Sequence, residues 1–86
     1  MNIEDVFCSK TRVRVLKLLC KYGQMNTSDL ARKLRVNYKL TLEHLELLEG
    51  EDIIQHRVSG RMKFFRLANT VKARATVKLL EEWEKK

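Results

Sequence analysis

The arrangement of short periodic segments between Thr27 and Leu67 constrains the fold more than any other feature of this chain. Apolar residues recur at helical spacing up to Leu34 and again from Tyr38 onward, with about three residues between the two patterns. A connection this short suits two helices that pack at a steep angle. Two runs rich in β-branched and aromatic residues follow, and they predict a β-hairpin directly after the helix pair.

Capping residues predict where the helices begin. We expect Ser9 to cap a helix from Lys10 to Tyr22, because its hydroxyl can accept from a free backbone N–H of the first turn. On the same grounds, Thr27 is expected to cap a second helix and Asn37 a third, which runs from Tyr38 to Glu49. The positions expected to face the core are Val13, Val15, Leu16, Leu18, Leu19, Cys20, Leu30, Ala31, Leu34, Thr41, Leu45 and Leu48.

The hairpin is expected to consist of strands over residues 53–58 and 62–67, joined by a turn at Ser59 and Gly60. Glycine suits this turn because it adopts a positive φ at little cost. Such a turn places Arg61 near the tip of the hairpin. The cross-strand pairs that follow from it are Val58 with Arg61, His56 with Lys63 and Ile54 with Phe65.

Length and charge limit what the chain can do. Its 86 residues are enough for one domain, over residues 1–86. The formal net charge of +7 favours a polyanionic partner, with nucleic acid the first candidate and an anionic membrane surface the second. No apolar run approaches the roughly 18 residues that span a bilayer. The N-terminus also lacks the pattern of a secretory signal, so we expect a cytoplasmic protein without membrane association.

Residue types that carry catalysis or bind metals are sparse. His44 and His56 are the only histidines, and Cys8 and Cys20 are the only cysteines. None of them has the spacing of a zinc site, a catalytic triad or a C-x-x-C pair. Buried thiols are the expected state of both cysteines, and no glycine-rich phosphate loop is present. We therefore expect no enzymatic activity, no catalytic residue, no metal site and no cofactor.

The segment from Gln55 to Arg66 is the strongest binding signal in the sequence. It contains four Lys or Arg residues and a histidine, but no acidic residue. Arg61 can reach a phosphate or enter a minor groove, and Gly60 permits close approach to a nucleic-acid backbone. An alternative explanation is an edge hairpin that is charged to avoid aggregation. The helix pair that precedes the hairpin favours nucleic acid.

The N-terminal half of the predicted third helix carries side chains that can contact phosphates, sugars and base edges. Recognition helices generally present their N-terminal residues to the bases. Glu43 lies one turn after Lys39, and we expect the two to pair. With the hairpin, the expected DNA-binding residues are Thr27, Arg35, Asn37, Tyr38, Lys39, Thr41, Arg57, Ser59, Gly60, Arg61 and Lys63.

A final helix is expected to be capped by Asn69 or Thr70 and to end near Glu84. Its apolar positions cover more than one face, so one side remains after the helix has packed on its own domain. A second copy of the chain would bury that side together with a short helical turn at the N-terminus. The expected dimer-interface residues are Ile3, Val6, Phe7, Val77, Leu80 and Trp83.

Three runs resemble the ArsR-like winged helix-turn-helix regulators, in particular the small archaeal members: VFCSKTRVRVLKLL (Val6 to Leu19), TSDLARKLRVN (Thr27 to Asn37) and EHLELLEGEDII (Glu43 to Ile54). The resemblance implies a homodimer with its first and last helices at the interface. It also implies a third helix in the major groove of a palindromic site, with hairpins, or wings, on flanking DNA. Metal-sensing members carry paired cysteines or acid/His clusters that this chain lacks, so metal sensing is not expected. The resemblance also implies which positions face the groove: Tyr38, Lys39, Leu40, Leu42 and Glu43.

The combined prediction is a mainly α-helical protein with a small β-hairpin: a winged helix-turn-helix with a wing over residues 53–67 and a C-terminal dimerisation helix over residues 69–84. The predicted function is a homodimeric transcription regulator that binds double-stranded DNA specifically or semi-specifically, with no small-molecule effector evident.

Leu40, Leu42 and Glu43 stand where the family commonly has small polar residues and an arginine. That difference favours phosphate contacts and shape readout. Two alternatives stay open: a low-specificity architectural nucleic-acid-binding protein, and a winged-helix module that binds another protein.

Overall fold

The computed structural model describes residues 3–84, which form five helices and three strands. The helices are α1 (Ile3–Phe7), α2 (Lys10–Tyr22), α3 (Thr27–Leu34), α4 (Tyr38–Gly50) and α5 (Val71–Glu84). The strands are β1 (Gln24–Asn26), β2 (Ile54–Ser59) and β3 (Met62–Leu67). The expected fold, mainly α-helical with a β-hairpin after the helix pair, is confirmed.

Local capping determines where most of the helices begin. The side-chain oxygens of Ser9 and Asn37 accept hydrogen bonds from backbone N–H groups three residues later, at 3.2 and 2.8 Å, so both expected caps are confirmed. Of the two candidates before α5, the cap is Thr70, whose Oγ1 accepts from a backbone N–H at 3.0 Å. The end of α4 lies at Gly50, one residue beyond the expected end.

The cap of α3 is Asn26, and the expectation of Thr27 was wrong. Asn26 is the last residue of β1, and its Oδ1 accepts from the N–H of Asp29 at 2.8 Å. Because Asn26 pairs with Phe64 of β3, its backbone stays extended, with φ −84° and ψ 165°. A cap residue needs that non-helical conformation. Thr27 therefore becomes the first helical residue, and only 2% of its surface is exposed.

The strands form an antiparallel sheet in the order β1-β3-β2. Ser59 pairs with Met62, so the turn is Gly60–Arg61 instead of Ser59–Gly60. Gly60 has φ +63°, and a glycine with positive φ at the first central position is typical of a type II′ turn. The expected cross-strand pairs are wrong by two residues, a shift that leaves every side chain on its expected face. The observed pairs include Val58 with Lys63, His56 with Phe65 and Ile54 with Leu67.

One core lies between the helices and the sheet. Its centre is formed by Leu16 and Leu19 of α2, Leu45 and Leu48 of α4, and Phe65 of β3, none of which is more than 1% exposed. α5 packs along one side of this core. No helix within residues 3–84 has both the length and the apolar character of a membrane span.

A side chain from α2 holds the turn between α3 and α4. Arg35 makes this turn in the left-handed conformation, with φ 58° and ψ 41°, which is uncommon for a residue other than glycine. Arg14 donates from Nη1 to the carbonyl oxygen of Leu34 and from Nη2 to that of Lys33, both at 3.3 Å. These carbonyls end α3 and have no partner inside the helix. Arg14 therefore helps to fix the angle between the two helices.

Both cysteines are exposed, so the expectation of buried thiols was wrong. Cys8 follows the last residue of α1. Cys20 lies on the flank of α2, beside Leu80 and Glu81 of α5 and outside the core-facing side of the helix. Partial burial raises the pKa of the Cys20 thiol, and the negative charge of Glu81 raises it further. Less thiolate then forms at neutral pH, so Cys20 is a poor nucleophile.

Candidate nucleic-acid interface

The wing presents its cations on an exposed hairpin without acidic residues. β2 and β3 contain no Asp or Glu. Arg61 lies in the turn itself, at the point of the hairpin farthest from the core. Cations without neighbouring acids attract phosphate oxygens, whatever the base sequence. All the expected contact residues of the wing are exposed: Arg57, Ser59, Gly60, Arg61 and Lys63.

The cations of the wing lie on both of its faces. Arg57 pairs with Phe64 across the strands, and Lys63 belongs to the next pair, so their side chains point to opposite faces. The Arg57 guanidinium lies over the Phe64 ring, 5.6 Å from its centroid, and its Nε donates to Oε1 of Gln24 at 3.4 Å. Within residues 3–84, Arg61 and Lys63 have no comparable contact. Arg57 is therefore held by its neighbours, whereas Arg61 and Lys63 can turn toward a phosphate.

The N-terminal half of α4 presents a mixed surface to solvent. Tyr38 is 52% exposed and Leu40 41%, and Lys39 and Glu43 are exposed as well. Asn37 is exposed too, but its Oδ1 accepts the N–H of Leu40 at 2.8 Å, which leaves its amide NH₂ for a ligand. Across residues 3–84, no ion pair joins Lys39 to Glu43, so the expected pair is not formed. Lys39 is therefore available to a DNA phosphate or base.

Two expected contact residues face the core instead of the surface. Thr41 is 0% exposed, because it shares the inward face of α4 with Leu45 and Leu48. Thr27 is 2% exposed at the start of α3. Neither hydroxyl can touch a nucleic acid at the surface, so both residues are removed from the candidate interface. Arg35, by contrast, is exposed in the turn between α3 and α4.

A hydrogen bond joins the end of α4 to the base of the wing, and the sequence pattern did not reveal it. Nδ1 of His56 lies 2.5 Å from Oε2 of Glu49, and both side chains are about one-third exposed. The His56 ring also packs against Phe65, with centroids 5.3 Å apart. These contacts fix the base of the wing to α4. The sequence could not predict this contact from the spacing of Glu49 and His56, because the contact depends on where β2 lies.

His44 adds no charge to this surface. It lies half-buried at the inner edge of α4, as expected. Burial lowers its pKa and the positive charge of Arg12 lowers it further, against a smaller opposing effect of Glu43. The ring is therefore uncharged at neutral pH. No group of three or more His, Cys, Asp and Glu side chains in residues 3–84 is arranged to hold a metal ion.

A second exposed surface lies where α1 and α5 meet, and it is apolar. Ile3 is 70% exposed, Leu79 46% and Trp83 82%. A groove of about 350 Å³ runs between the two helices, and Phe7 and Ala75 are among the residues that line it. Exposed aromatic and aliphatic groups grouped in this way are typical of a surface that binds another protein.

Three of the six expected dimer-interface residues lie elsewhere. Val6 is 3% exposed and Leu80 is 9%, so both are occupied in the core of their own protomer. Val77 is half-buried on the other side of α5, near Ala68. Helical periodicity showed that α5 is apolar on more than one face. Only the packing shows which face the core uses.

The geometry defines a class of protein. A helix-turn-helix is followed directly by an antiparallel hairpin with a cationic tip, and a last helix closes the domain. This arrangement is the winged helix-turn-helix. Residues 9–56, more than half of the chain, match the family described as "Bacterial regulatory protein, arsR family". The protein belongs to this family of DNA-binding transcription regulators.

Solved structures share the fold over nearly the whole chain. HlyU from Vibrio cholerae N16961 has a TM-score of 0.81 and 17% identity, covering 95% of this chain and 87% of that one. The transcriptional regulator HlyU from Vibrio vulnificus CMCP6 has a TM-score of 0.77 and 19% identity, covering 93% and 81%. The adhesin competence repressor AdcR of Streptococcus pyogenes has a TM-score of 0.76 and 21% identity. The match covers 95% of this chain and 60% of that one. The family and these relatives are regulators, not enzymes.

Proposed function

We propose that this protein is a homodimeric transcription regulator that places the N-terminal half of α4 in the major groove and the wing on flanking backbone or minor groove. Family membership supports double-stranded DNA as the partner. The exposed, acid-free wing carries the proposed placement, because Arg61 and Lys63 have no close partner within residues 3–84 and are free to bind phosphates. The Glu49–His56 hydrogen bond fixes the base of this wing to the C-terminal end of α4. The residues proposed to contact DNA are Arg35, Asn37, Tyr38, Lys39, Arg57, Ser59, Gly60, Arg61 and Lys63.

The proposed sequence preference is modest. Leu40 is exposed in the middle of the α4 surface, where it can contact only apolar groups such as a thymine methyl. Glu43 can accept from a cytosine amino group but repels phosphates. Most of the binding free energy then comes from the wing and from Lys39, through phosphate contacts that are strongly salt-dependent.

Selection of bound duplexes from a random DNA pool, at two salt concentrations, tests this proposal. We expect a palindromic motif that sharpens at the higher salt concentration, because screening removes non-specific phosphate binding first. A pool that is bound without any enrichment would support the low-specificity architectural alternative. A protein that retains no DNA even at low salt would contradict the proposal.

Removing either Tyr38 or Lys39 is expected to change the preference between sequences. We expect Tyr38→Ala and Lys39→Ala to reduce discrimination against a mismatched base pair by about 1–3 kcal/mol at the position each side chain contacts. Competition binding with the selected duplex and single-mismatch duplexes measures this effect. Glu46→Ala is the control, because Glu46 is exposed on the later part of α4. Equal discrimination in all three variants would remove α4 from base readout.

The proposed dimer uses the apolar surface of α1 and α5. Along α5, Val71, Ala75, Leu79 and Trp83 follow at every fourth position, and all four are exposed. A row of this spacing forms a ridge on a helix, and two such ridges interdigitate at a crossing angle of about −50°. Pairing α5 with its copy would bury the exposed indole and cover the groove beside α1. Both protomers would then present α4 and the wing to one duplex.

Truncating Trp83 is expected to weaken the dimer while leaving each protomer folded. Trp83→Ala should raise the dimer dissociation constant by about thirty-fold or more, because a buried interface tryptophan commonly contributes at least ~2 kcal/mol. Sedimentation analysis over a range of protein concentrations measures the constant. Tyr22→Ala is the control, since Tyr22 is a 48% exposed aromatic residue at the end of α2. An unchanged dissociation constant in Trp83→Ala would place the interface elsewhere.

A protein-binding module is the second candidate, and one observation favours it. Leu40 and Leu47 on α4 are 41% and 40% exposed, which gives this helix an apolar rim that DNA does not need. A full absence of DNA binding at low salt, with a stable fold, would make this the preferred function.

Residues 1–86 act as a single domain, with the wing at 53–67 and the dimerisation helix at 69–84. The protein works in the cytoplasm and resembles the small archaeal type of the family. It needs neither a cofactor nor a small-molecule effector.

A further inference from the structure

α2 carries a second cationic surface that the proposed DNA interface does not use. Four cations of this helix, Lys10, Arg14, Lys17 and Lys21, are four, three and four residues apart in turn, which places them within about 60° of one another around the axis. All of them are exposed, and α2 contains no acidic residue. We call this surface, together with a lysine from the end of α3, the α2 stripe. Its members are Lys10, Arg14, Lys17, Lys21 and Lys33.

The stripe is long and continuous enough to follow a nucleic-acid backbone. From Lys10 to Lys21 it extends for about 16 Å along the helix. Lys33 joins it from α3, because it lines a shallow groove with Arg14 and Lys17. The Nζ atoms of Lys21 and Lys33 both lie over the ring of Tyr22, at 5.3 and 5.1 Å from its centroid. Two lysines on different helices are thereby held side by side at one end.

Like charges at these spacings destabilise a helix unless anions are near. Within residues 3–84, the carboxylate that contacts the stripe is Glu84, which forms an ion pair with Lys17. Glu81 lies at the same flank. The other cations of the stripe have no ion-pair partner in this part of the chain. The arrangement is therefore costly alone and favourable beside a polyanion.

Most of the stripe faces away from the α4 surface, and the two surfaces come nearest at Arg14, whose guanidinium contacts the α3–α4 turn beside Arg35. The opposite face of α2 buries Val15, Leu16 and Leu19 in the core, where they belong to one cluster with Leu45 and Leu48 of α4. The exposed sides of α2 and α4 therefore lie on different sides of that core. A duplex that is seated on the N-terminal half of α4 and the wing leaves Lys10 and Lys21, at the two ends of the α2 row, open.

The chemistry of the stripe favours a phosphate backbone over a protein. Interfaces between proteins are generally enriched in aromatic residues at their centre and depleted in lysine. Here lysine predominates, and the one exposed aromatic ring, Tyr22, lies at the end between two lysines. Phosphate contacts need only cations at suitable spacing.

We infer that the α2 stripe binds the backbone of a second double-stranded DNA segment, so that the protein bridges two duplexes. The inference rests on the proposed function, because the first duplex occupies α4 and the wing. Binding at the stripe would be independent of sequence. It would also be more sensitive to salt than to the identity of the second duplex.

A capture experiment tests the bridge. One duplex is fixed to beads, the protein is bound to it, and a second, labelled duplex is added in solution. We expect the wild-type protein to retain the labelled duplex at about 0.1 M salt. Lys10→Gln/Lys21→Gln should retain at least about ten-fold less of it, because two phosphate contacts are lost. Affinity for a single duplex at limiting protein concentration should not change. The variant leaves Arg14 and Lys17 in place, since Arg14 holds the α3–α4 turn.

Two control variants separate the stripe from general effects. Arg74→Gln/Lys78→Gln removes the same charge from exposed positions on α5 and should still bridge. Lys10→Arg/Lys21→Arg retains the charge and should bridge as well as wild type, which ties the loss to the charge. The unchanged single-duplex affinity of Lys10→Gln/Lys21→Gln excludes a folding defect as its cause.

Each other outcome has a definite meaning. Equal loss of capture in the α5 variant would overturn the inference, because net charge alone would then explain bridging. Equal loss of single-duplex affinity in Lys10→Gln/Lys21→Gln would also overturn it, because the stripe would belong to the first site. Capture of bead-bound polyglutamate but not of the second duplex would show an acidic-protein site instead. A wild type that binds one duplex without capturing another contradicts only this inference, whereas one that binds no duplex contradicts the proposed function.

Discussion

Replacing Arg61 and Lys63 with glutamine is expected to weaken DNA binding about 50-fold for each wing at 0.1 M salt. Both side chains are exposed and without close partners in residues 3–84. The logarithm of the DNA-binding constant falls linearly with the logarithm of the salt concentration, and each phosphate contact adds about 0.9 to the steepness of that line. Loss of two contacts should therefore make the line less steep by about 1.8 for each wing. Titrations of the selected duplex and of an unrelated duplex, at several salt concentrations, measure both quantities. The loss should be similar for the two duplexes, because phosphates carry no sequence information.

Two comparisons make this result specific to the wing. Arg74→Gln/Lys78→Gln removes the same charge from α5 and should change the affinity much less. The fold should survive in the wing variant, since Arg57, which packs on Phe64 and bonds to Gln24, is kept. An affinity for DNA that is the same in the wing variant and in the α5 variant would remove the wing from the interface.

Phe65→Ala is expected to lower the free energy of unfolding by about 3–5 kcal/mol, which is much of the total stability of a small domain. Phe65 is 1% exposed and is the central residue of the sheet, paired with Met25 on one side and His56 on the other. Its removal leaves a cavity between the sheet and the helices. Denaturant unfolding followed by circular dichroism, at fixed protein concentration, measures the loss.

The neighbouring residue is the matched control. Phe64 is the same residue type on the same strand, but it lies half-buried on the outer face under the Arg57 guanidinium. Phe64→Ala should therefore cost only about 1 kcal/mol, mainly through the lost cation–π contact and partial burial. If both variants lost the same stability, the assignment of Phe65 to the centre of the core would be wrong.

Helix positions could be predicted where the determinant is local. Ser9 and Asn37 each stand before a run with clear helical spacing, and each caps the helix through a hydrogen bond to a backbone N–H three residues away. The cap of α3 could not be predicted in the same way, because Asn26 and Thr27 are adjacent and both suit the role. Pairing of Asn26 with β3 decides between them, and that contact joins residues far apart in the chain.

The candidate site was predictable to the extent that it depends on charge. Four cations and no acid in the hairpin are visible without coordinates, and Arg57, Arg61 and Lys63 are indeed exposed. The hairpin register was not predictable, since either of two turns next to Gly60 is compatible with the sequence. Thr41 shows the other limit. Helical spacing predicted that it faces inward with Leu45, and this is confirmed, but its polar type and its place in the recognition helix also predicted a DNA contact, which its burial excludes.

The sequence alone determined the order of the helices and of the hairpin, the excess of positive charge and the acid-free wing, because periodicity, capping and composition act over a few residues. The short strand β1 depends on its pairing with β3. Only the tertiary structure decided which faces of α4 and α5 remain open, how His56 joins the wing to Glu49, and that the α2 stripe lies on the side of α2 opposite the core. These features depend on packing between segments distant in the chain. The same side chain can be buried or free to bind, according to where a distant strand or helix lies.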